Sequence, residues 1–224
     1  MAAKMPALVR FDRVTIAVRG KTLLDGIDFA LNAGEKAVFR GRSGSGKSTV
    51  LKSLLGLYPL ASGGIFFEGQ PLNPETARTL RTSAAYIGQE PVLGGATVRE
   101  ALLLPFRFKA HRGREPGGTM LAETLDALHL PPDILNRPCN RVSGGEKQRI
   151  ALARAMLLGK RLYLLDEVTS ALDPESKQAV FEVLADPGLT VLSVAHDADW
   201  IARCGIVHEL EAGRLVREGG IGNA

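Results

Sequence analysis

Alternation of apolar and polar residues with a period of two dominates the first thirty positions, and the pattern changes character twice after that. Leu8-Val9-Arg10-Phe11, Val14-Thr15-Ile16 and Ile27-Asp28-Phe29 have the spacing of half-buried strands. Turn-prone Arg19-Gly20 and Asp25-Gly26 separate them, so Leu8 to Leu31 is expected to form a small antiparallel β region. Lys36 to Arg40 then reads as a short strand running into a Gly/Ser-rich turn, with a helix expected over Lys47 to Leu57. Further strands are expected at Ala84 to Ile87, Arg161 to Leu165 and Thr190 to Ala195, each followed by helix-compatible sequence. The pattern predicts an α/β fold whose main sheet is largely parallel and covered on both faces. Between Thr97 and Arg141 the spacing turns helical, as at Leu121, Leu125 and Leu128, bracketed by Pro116-Gly117-Gly118 and Pro131-Pro132. One domain over 1–224 is expected, with a helical subdomain at about 97–155 inserted in the α/β core and a flexible loop from Arg107 to Gly118.

The chain has 224 residues, 45% of them hydrophobic, enough for a sizeable buried core. Lys and Arg number 28 against 24 Asp and Glu, a formal charge of +4. That excess is too mild to argue for nucleic acid, and no specific nucleic-acid partner is expected. Cys139 and Cys204 have neither a CxxC partner nor a nearby His pair, which suggests no zinc site or disulfide framework and fits a reducing compartment. Met1 to Leu8 lacks the apolar stretch of a signal peptide, and no apolar run approaches the roughly 18 residues of a spanning helix. The chain is expected to be soluble by itself, with any membrane role arriving through a partner.

Gly41-Arg42-Ser43-Gly44-Ser45-Gly46-Lys47-Ser48-Thr49 fits G-x-x-x-x-G-K-[ST] and sits after a strand at the start of a helix. Its glycines let backbone N–H groups turn inward around phosphate oxygens, and the helix N-terminus adds positive partial charge. Lys47 is expected to reach the β- and γ-phosphates of ATP. Ser48 is expected to give its hydroxyl to Mg²⁺, an ion that takes few protein oxygens.

Leu162 to Glu167 is an apolar strand ending in two acids, at the carboxyl edge of the sheet where ligands of open α/β sheets bind. Adjacent carboxylates in such a place require pairing or a cation. Asp166 fits ligation of Mg²⁺, either directly or through a water. Glu167 fits the residue that polarises an attacking water, as general base or as water-positioner. Standing alone, Glu167 reads equally well as the start of the following turn; the phosphate loop shifts the reading to chemistry.

Val142-Ser143-Gly144-Gly145-Glu146-Lys147-Gln148-Arg149, followed by a helical stretch from Ile150 to Leu158, closely resembles the LSGGQ-type signature of the ABC ATPase family. The resemblance covers about Leu8 to Gly219. It implies a P-loop NTPase core of the α/β class, ATP hydrolysis, and a second copy of the chain, because in the family this loop completes the ATP site of the opposite subunit. Ser143, Gly144 and Gly145 would then donate to the partner's γ-phosphate. Gln89, in Tyr86-Ile87-Gly88-Gln89-Glu90-Pro91, matches the Q-loop glutamine that senses Mg²⁺ or the attacking water. Asp173, in Ser170-Ala171-Leu172-Asp173, matches the D-loop that contacts the other subunit near its phosphate cradle. His196, in Val194-Ala195-His196-Asp197, matches the switch histidine expected at the γ-phosphate; alone, a histidine after a strand is a polar cap.

Two positions depart from the family. No aromatic residue stands in Ile16-Ala17-Val18-Arg19-Gly20 to stack on adenine, so Val18 offers only apolar contact, and Val142 replaces the usual leucine of the signature. The resemblance also implies an integral membrane permease subunit, received near Gln89 and Val92 to Glu100, which would hold the chain on the cytoplasmic face of the cell membrane. Leu102 to Arg107, Leu130 to Leu135 and Leu165 to Asp173 look like small bacterial subunits of iron export and metal resistance. A soluble ATPase of the same family acting in iron–sulfur assembly is the alternative. Arg107, Lys109, His111, Arg112 and Arg114 read as a solvated loop face, with the permease or acidic lipid heads as the other reading.

Overall fold

A computed structural model describes residues 6–220. In chain order its elements are β1 (Val9–Val18), β2 (Lys21–Leu31), β3 (Lys36–Arg40), α1 (Lys47–Leu54), β4 (Ser62–Phe67), β5 (Gln70–Pro71), α2 (Pro74–Ser83) and β6 (Ala84–Ile87). There follow α3 (Val98–Leu103), α4 (Gly118–Ala127), α5 (Gly144–Leu157), β7 (Leu162–Asp166), α6 (Pro174–Leu184), β8 (Thr190–Val194), α7 (Ala198–Arg203), β9 (Ile206–Glu211) and β10 (Arg214–Gly220). Among the described residues, 6–86, 161–167 and 187–220 form one compact unit, and 87–160 with 168–186 form a second.

The first unit holds two sheets. The smaller has strand order β2-β1-β4-β5; the larger has order β10-β9-β3-β8-β7-β6. Parallel pairing joins β3 to β8 and β9, and β7 to β8, whereas β10 returns antiparallel on β9. All five residues of β7 and all five of β8 are buried, the continuous apolar pattern of parallel strands covered on both faces. Phe11, Phe29 and Phe39 from the two sheets share one core with Val50, Leu51 and Leu54 of α1. The Phe11 and Phe29 rings stack at 4.6 Å, and Phe29 meets Phe39 edge-on at 5.2 Å.

Three expectations change. Asp25-Gly26 is not a turn between strands: β2 runs through it, and the ladder slips there, with Val14 opposite Ile27 but Ile16 opposite Leu24. Gly26, at φ 64°, absorbs the extra residue as a bulge while its N–H donates to Thr15 Oγ1 at 3.2 Å. The helix over Lys47 ends at Leu54 rather than Leu57, since Gly56 turns left-handed at φ 70° and its N–H closes on Ser53 O at 2.9 Å. β6 is followed by a long irregular stretch rather than a helix, up to Thr97, whose side chain caps α3.

Four strands went unread in the sequence: β4, β5, β9 and β10. Their hairpins close through Glu68-Gly69 and Ala212-Gly213, where both residues of each pair have positive φ. That is the backbone of a two-residue hairpin turn, the same device as Arg19-Gly20 between β1 and β2. Of these three pairs only Arg19-Gly20, between the ten residues of β1 and the eleven of β2, was legible as a turn.

The second unit is helical, with α3, α4 and α5 packed through Val98, Leu102, Leu121, Leu125 and Ile150, all buried. Arg107 ends a 3₁₀ turn (Leu104–Arg107), and turns carry the chain to α4. The signature helix α5 spans Gly144–Leu157, close to the helix expected through Leu158.

Candidate functional site

The loop between β3 and α1 keeps its shape because of its glycines. Gly41 has φ 141°, Gly44 φ 78° and Gly46 φ 104°, a region that side-chain-bearing residues avoid. Space is equally restrictive: a Cβ on Gly41 would collide with the Leu210 carbonyl oxygen, and one on Gly46 would lie 2.7 Å from Leu23 O. The loop is therefore pressed against β9 and β2 while its open side faces away from them.

Lys47 opens α1 and folds back into the loop, 5% exposed, its Nζ donating to Gly41 O at 2.8 Å and Arg42 O at 2.9 Å. Burial lowers its pKa, and the negative charges of Glu167 and Asp166 oppose that shift. An ammonium held by two neutral carbonyls in reach of two carboxylates is poised to accept a stronger anion. Ser45 Oγ, also buried, has no hydrogen-bond partner among the described residues, an unmet polar group of the kind a bound oxyanion satisfies.

Beside the loop, Ser48 Oγ donates to Asp166 Oδ1 at 2.8 Å, and Tyr86 Oη donates to Asp166 Oδ2 at 3.2 Å. Burial raises the Tyr86 pKa, reinforced by the charge and hydrogen bond of Asp166. Tyr86 thus stays a protonated donor that fixes the carboxylate's orientation. The sequence placed Tyr86 only as a neighbour of Gln89; its role depends on β6 joining the sheet beside β7, a pairing no local pattern encodes.

Glu167 follows β7 with φ 55°, and its N–H donates to Val194 O at 2.9 Å. That left-handed turn carries its side chain to His196, with Glu167 Oε1 3.6 Å from His196 Nε2. Strained backbone of this kind persists where the surroundings enforce it, and it concentrates at functional sites. One compact unit therefore brings together the glycine loop, Lys47, Ser48, Asp166, Glu167 and His196. Val18, at the end of β1, is half-buried against the same unit's core.

In the second unit, Ser143 caps α5. Its Oγ accepts from Glu146 N–H at 3.1 Å, and Glu146 Oε2 accepts from Ser143 N–H at 2.7 Å, the reciprocal capping box. A Cβ on Gly145 would lie 2.8 Å from Ala171 O, so Gly145 lets the signature loop sit against the Ser170–Asp173 stretch. Asp173 caps α6, accepting from Ser176 N–H at 3.0 Å and Ser176 Oγ at 2.6 Å, bonds that lower its pKa. Val142 is buried, filling the place of the usual leucine. Gln89 is exposed, and its backbone oxygen accepts from Gln148 Nε2 at 2.6 Å.

A glycine loop opening a helix at the carboxyl edge of a parallel sheet, with a carboxylate pair at the end of buried β7, two strands along in the same sheet, defines a P-loop nucleoside triphosphatase. Residues 24–170 match the family described as ABC transporter, and the chain belongs to that family as one of its ATP-binding cassettes. It is 36% identical over 198 residues to a protein of Escherichia coli (strain K12) described as "Probable iron export ATP-binding protein FetA", covering 87% of each chain. It is 34% identical to ABC transporter 1 of Ajellomyces capsulatus over 88% of its own length, but spans only 15% of that protein. Its fold is similar to the ATP-binding cassette MJ0796, solved as a dimer in a post-hydrolysis state bound to ADP and Pi. The TM-score is 0.83 at 26% identity, over 96% of this chain and 100% of that one.

Proposed function

We propose that the chain binds MgATP, hydrolyses it in a dimer of two copies, and uses the closure and reopening of that dimer to drive a separate integral membrane permease. The observation that carries this reading is the cluster Lys47, Ser48, Asp166, Glu167 and His196 around one glycine loop. ATP phosphates would lie in the backbone cradle of Gly41, Arg42, Ser43, Gly44, Ser45, Gly46 and Thr49, with Lys47 exchanging its two carbonyl partners for phosphate oxygens. Ser48 and Asp166 offer two oxygens 2.8 Å apart, a donor set suited to Mg²⁺, which completes its shell with water and phosphate oxygens. When bound, that ion supplies neutralisation of charge on the β- and γ-phosphates.

Glu167 accepts a hydrogen bond from the water that attacks the γ-phosphate, or takes its proton, while His196 steadies the transferring group. Ser143, Gly144 and Gly145 of the second copy donate to the same γ-phosphate from a capped helix N-terminus. Asp173 lies in the stretch facing that partner, Gln89 reports on Mg²⁺ or water, and Val18 gives adenine an apolar surface. The γ-phosphate is then the anion that bridges two copies, and its release permits reopening. A groove of about 980 Å³ in the second unit, lined by Gln89, Val92, Leu93, Cys139 and Lys147 among others, is the seat for the permease. No described helix is long and apolar enough to cross a membrane, and the chain is held at the inner face of the cell membrane by that subunit. Similarity to an iron export protein supports metal export as the transport driven.

Replacing Glu167 by Gln tests the reading. Steady-state phosphate release is expected to fall roughly 10²-fold or more while ATP binding persists and an ATP-bound dimer accumulates on size exclusion. Undiminished turnover would remove Glu167 from the chemistry.

A further inference from the structure

Helix α5 starts at the signature loop and then grips the backbone of the Q-loop segment with two side chains. Gln148, 3% exposed, donates from Nε2 to Gln89 O at 2.6 Å and to Gly88 O at 3.2 Å. Both contacts are carbonyls, which fixes the amide orientation. Its Oε1 is buried without a partner among the described residues, so the carboxamide is kept for what its nitrogen holds, at the cost of an unmet acceptor. Two turns further on, half-buried Arg154 donates from Nη1 to Leu93 O at 2.9 Å, with Nη2 3.5 Å from Val92 O. Among the described residues its charge is met by backbone carbonyls.

The opposite wall of the 980 Å³ groove hangs on the same helix. Arg137 Nη1 donates to Glu146 Oε1 at 3.0 Å, so the residue that closes the Ser143 capping box also holds the segment leading to Pro138 and Cys139. That segment pairs in turn with the far end of the Q-loop stretch, Cys139 N–H donating to Ala96 O at 3.0 Å and Val98 N–H to Arg137 O at 3.0 Å. A helix is stiff along its axis and rises about 1.5 Å per residue. Ser143 and Arg154 are thus joined by one continuous helix.

We infer that Gln148 and Arg154 are positioning residues that lock segment 88–93 to α5, so that nucleotide-driven movement of the signature loop carries the groove wall with it. The inference rests on the shared ATP site proposed above. It adds a route from the signature loop to the groove that does not pass through the Gln89 side chain.

The test uses the full chain with Glu167→Gln, compared with and without ATP by hydrogen exchange of the 88–93 amides, with size exclusion as a separate readout of dimer formation. In that parent, ATP is expected to slow exchange of 88–93 by about tenfold. Adding Gln148→Met and Arg154→Met together is expected to leave ATP-driven dimerisation intact but reduce the slowing to less than about twofold, with Arg154→Lys intermediate because one donor survives. A general packing defect would instead speed exchange equally with and without ATP. Parental slowing in the dimeric double variant overturns the inference, as does a dimeric parent in which ATP leaves 88–93 unchanged. If the double variant does not fold, Arg154→Lys alone decides: full slowing overturns the lock, partial slowing supports it. A parent that fails to dimerise with ATP overturns the shared-site reading itself.

Discussion

Ser48 Oγ lies 2.8 Å from Asp166 Oδ1, although the two residues stand 118 positions apart. One lies in the first turn of α1 and the other closes β7, and the parallel sheet brings them together. With Tyr86 holding the second carboxylate oxygen, Asp166 presents a fixed negative charge beside the Lys47 ammonium.

Asp166→Asn keeps an oxygen for Ser48 but removes the charge. Turnover that depends on Mg²⁺ is expected to fall about 10²-fold while ATP still binds without the metal. Tyr86→Phe, which removes only the orienting hydroxyl, is expected to raise the Mg²⁺ concentration for half-maximal turnover about fivefold, the equivalent of about 1 kcal/mol. Magnesium titrations of phosphate release check both.

Gly46→Ala puts a Cβ 2.7 Å from Leu23 O and 2.9 Å from Leu24 Cδ2 at φ 104°. The strain is expected to cost about 1–3 kcal/mol of stability and to open the loop. Urea unfolding should show the first, and loss of ATP-induced protection against thermal unfolding the second.

Ser143→Arg places a bulky cation at the proposed contact with the partner copy and also removes the cap of α5, a cost of about 1 kcal/mol. ATP binding to the monomer is expected to survive while ATP-driven dimerisation of the Glu167→Gln chain is lost. Ser143→Thr keeps the capping hydroxyl and is expected to dimerise. Light scattering with and without ATP distinguishes them.

His208 is fully buried, stacked on Phe39 at 4.9 Å, and neither ring nitrogen has a hydrogen-bond partner among the described residues. Burial lowers its pKa from 6.5 to about 4. Between those values the unfolded chain binds the proton and the folded one does not, so the stability is fully present above about pH 6.5 and is lost as pH falls toward 4. The loss is on the order of 3 kcal/mol. His208→Phe is expected to stack in the same place, flatten the fall in Tm over that range, and raise Tm at neutral pH. A thermal melt series at stepped pH reads both effects.

The glycine loop, Lys47, the Asp166-Glu167 pair and the signature were legible in the sequence because each is a short run whose chemistry needs neighbours along the chain. So were β3, β7 and β8, whose apolar runs Ala37-Val38-Phe39, Leu162 to Leu165 and Val191-Leu192 call for burial. The Asp25-Gly26 bulge was misread as a turn because the same dipeptide serves both, and only the pairing of Ile16 with Leu24 decides between them. The hairpins at Glu68-Gly69 and Ala212-Gly213 were missed because glycine and charged positions break up the apolar pattern of their strands, as in Ser62-Gly63-Gly64 of β4 and His208-Glu209 of β9.

What the sequence by itself determined is the class of chemistry and the candidate residues for it. What only the tertiary structure decided is which of them meet: Tyr86 on Asp166, His196 on Glu167, Gln148 on the Gln89 carbonyl. Those meetings depend on strand order and on side chains from positions tens of residues apart, and contacts a few ångströms long leave no periodic trace in the chain that makes them.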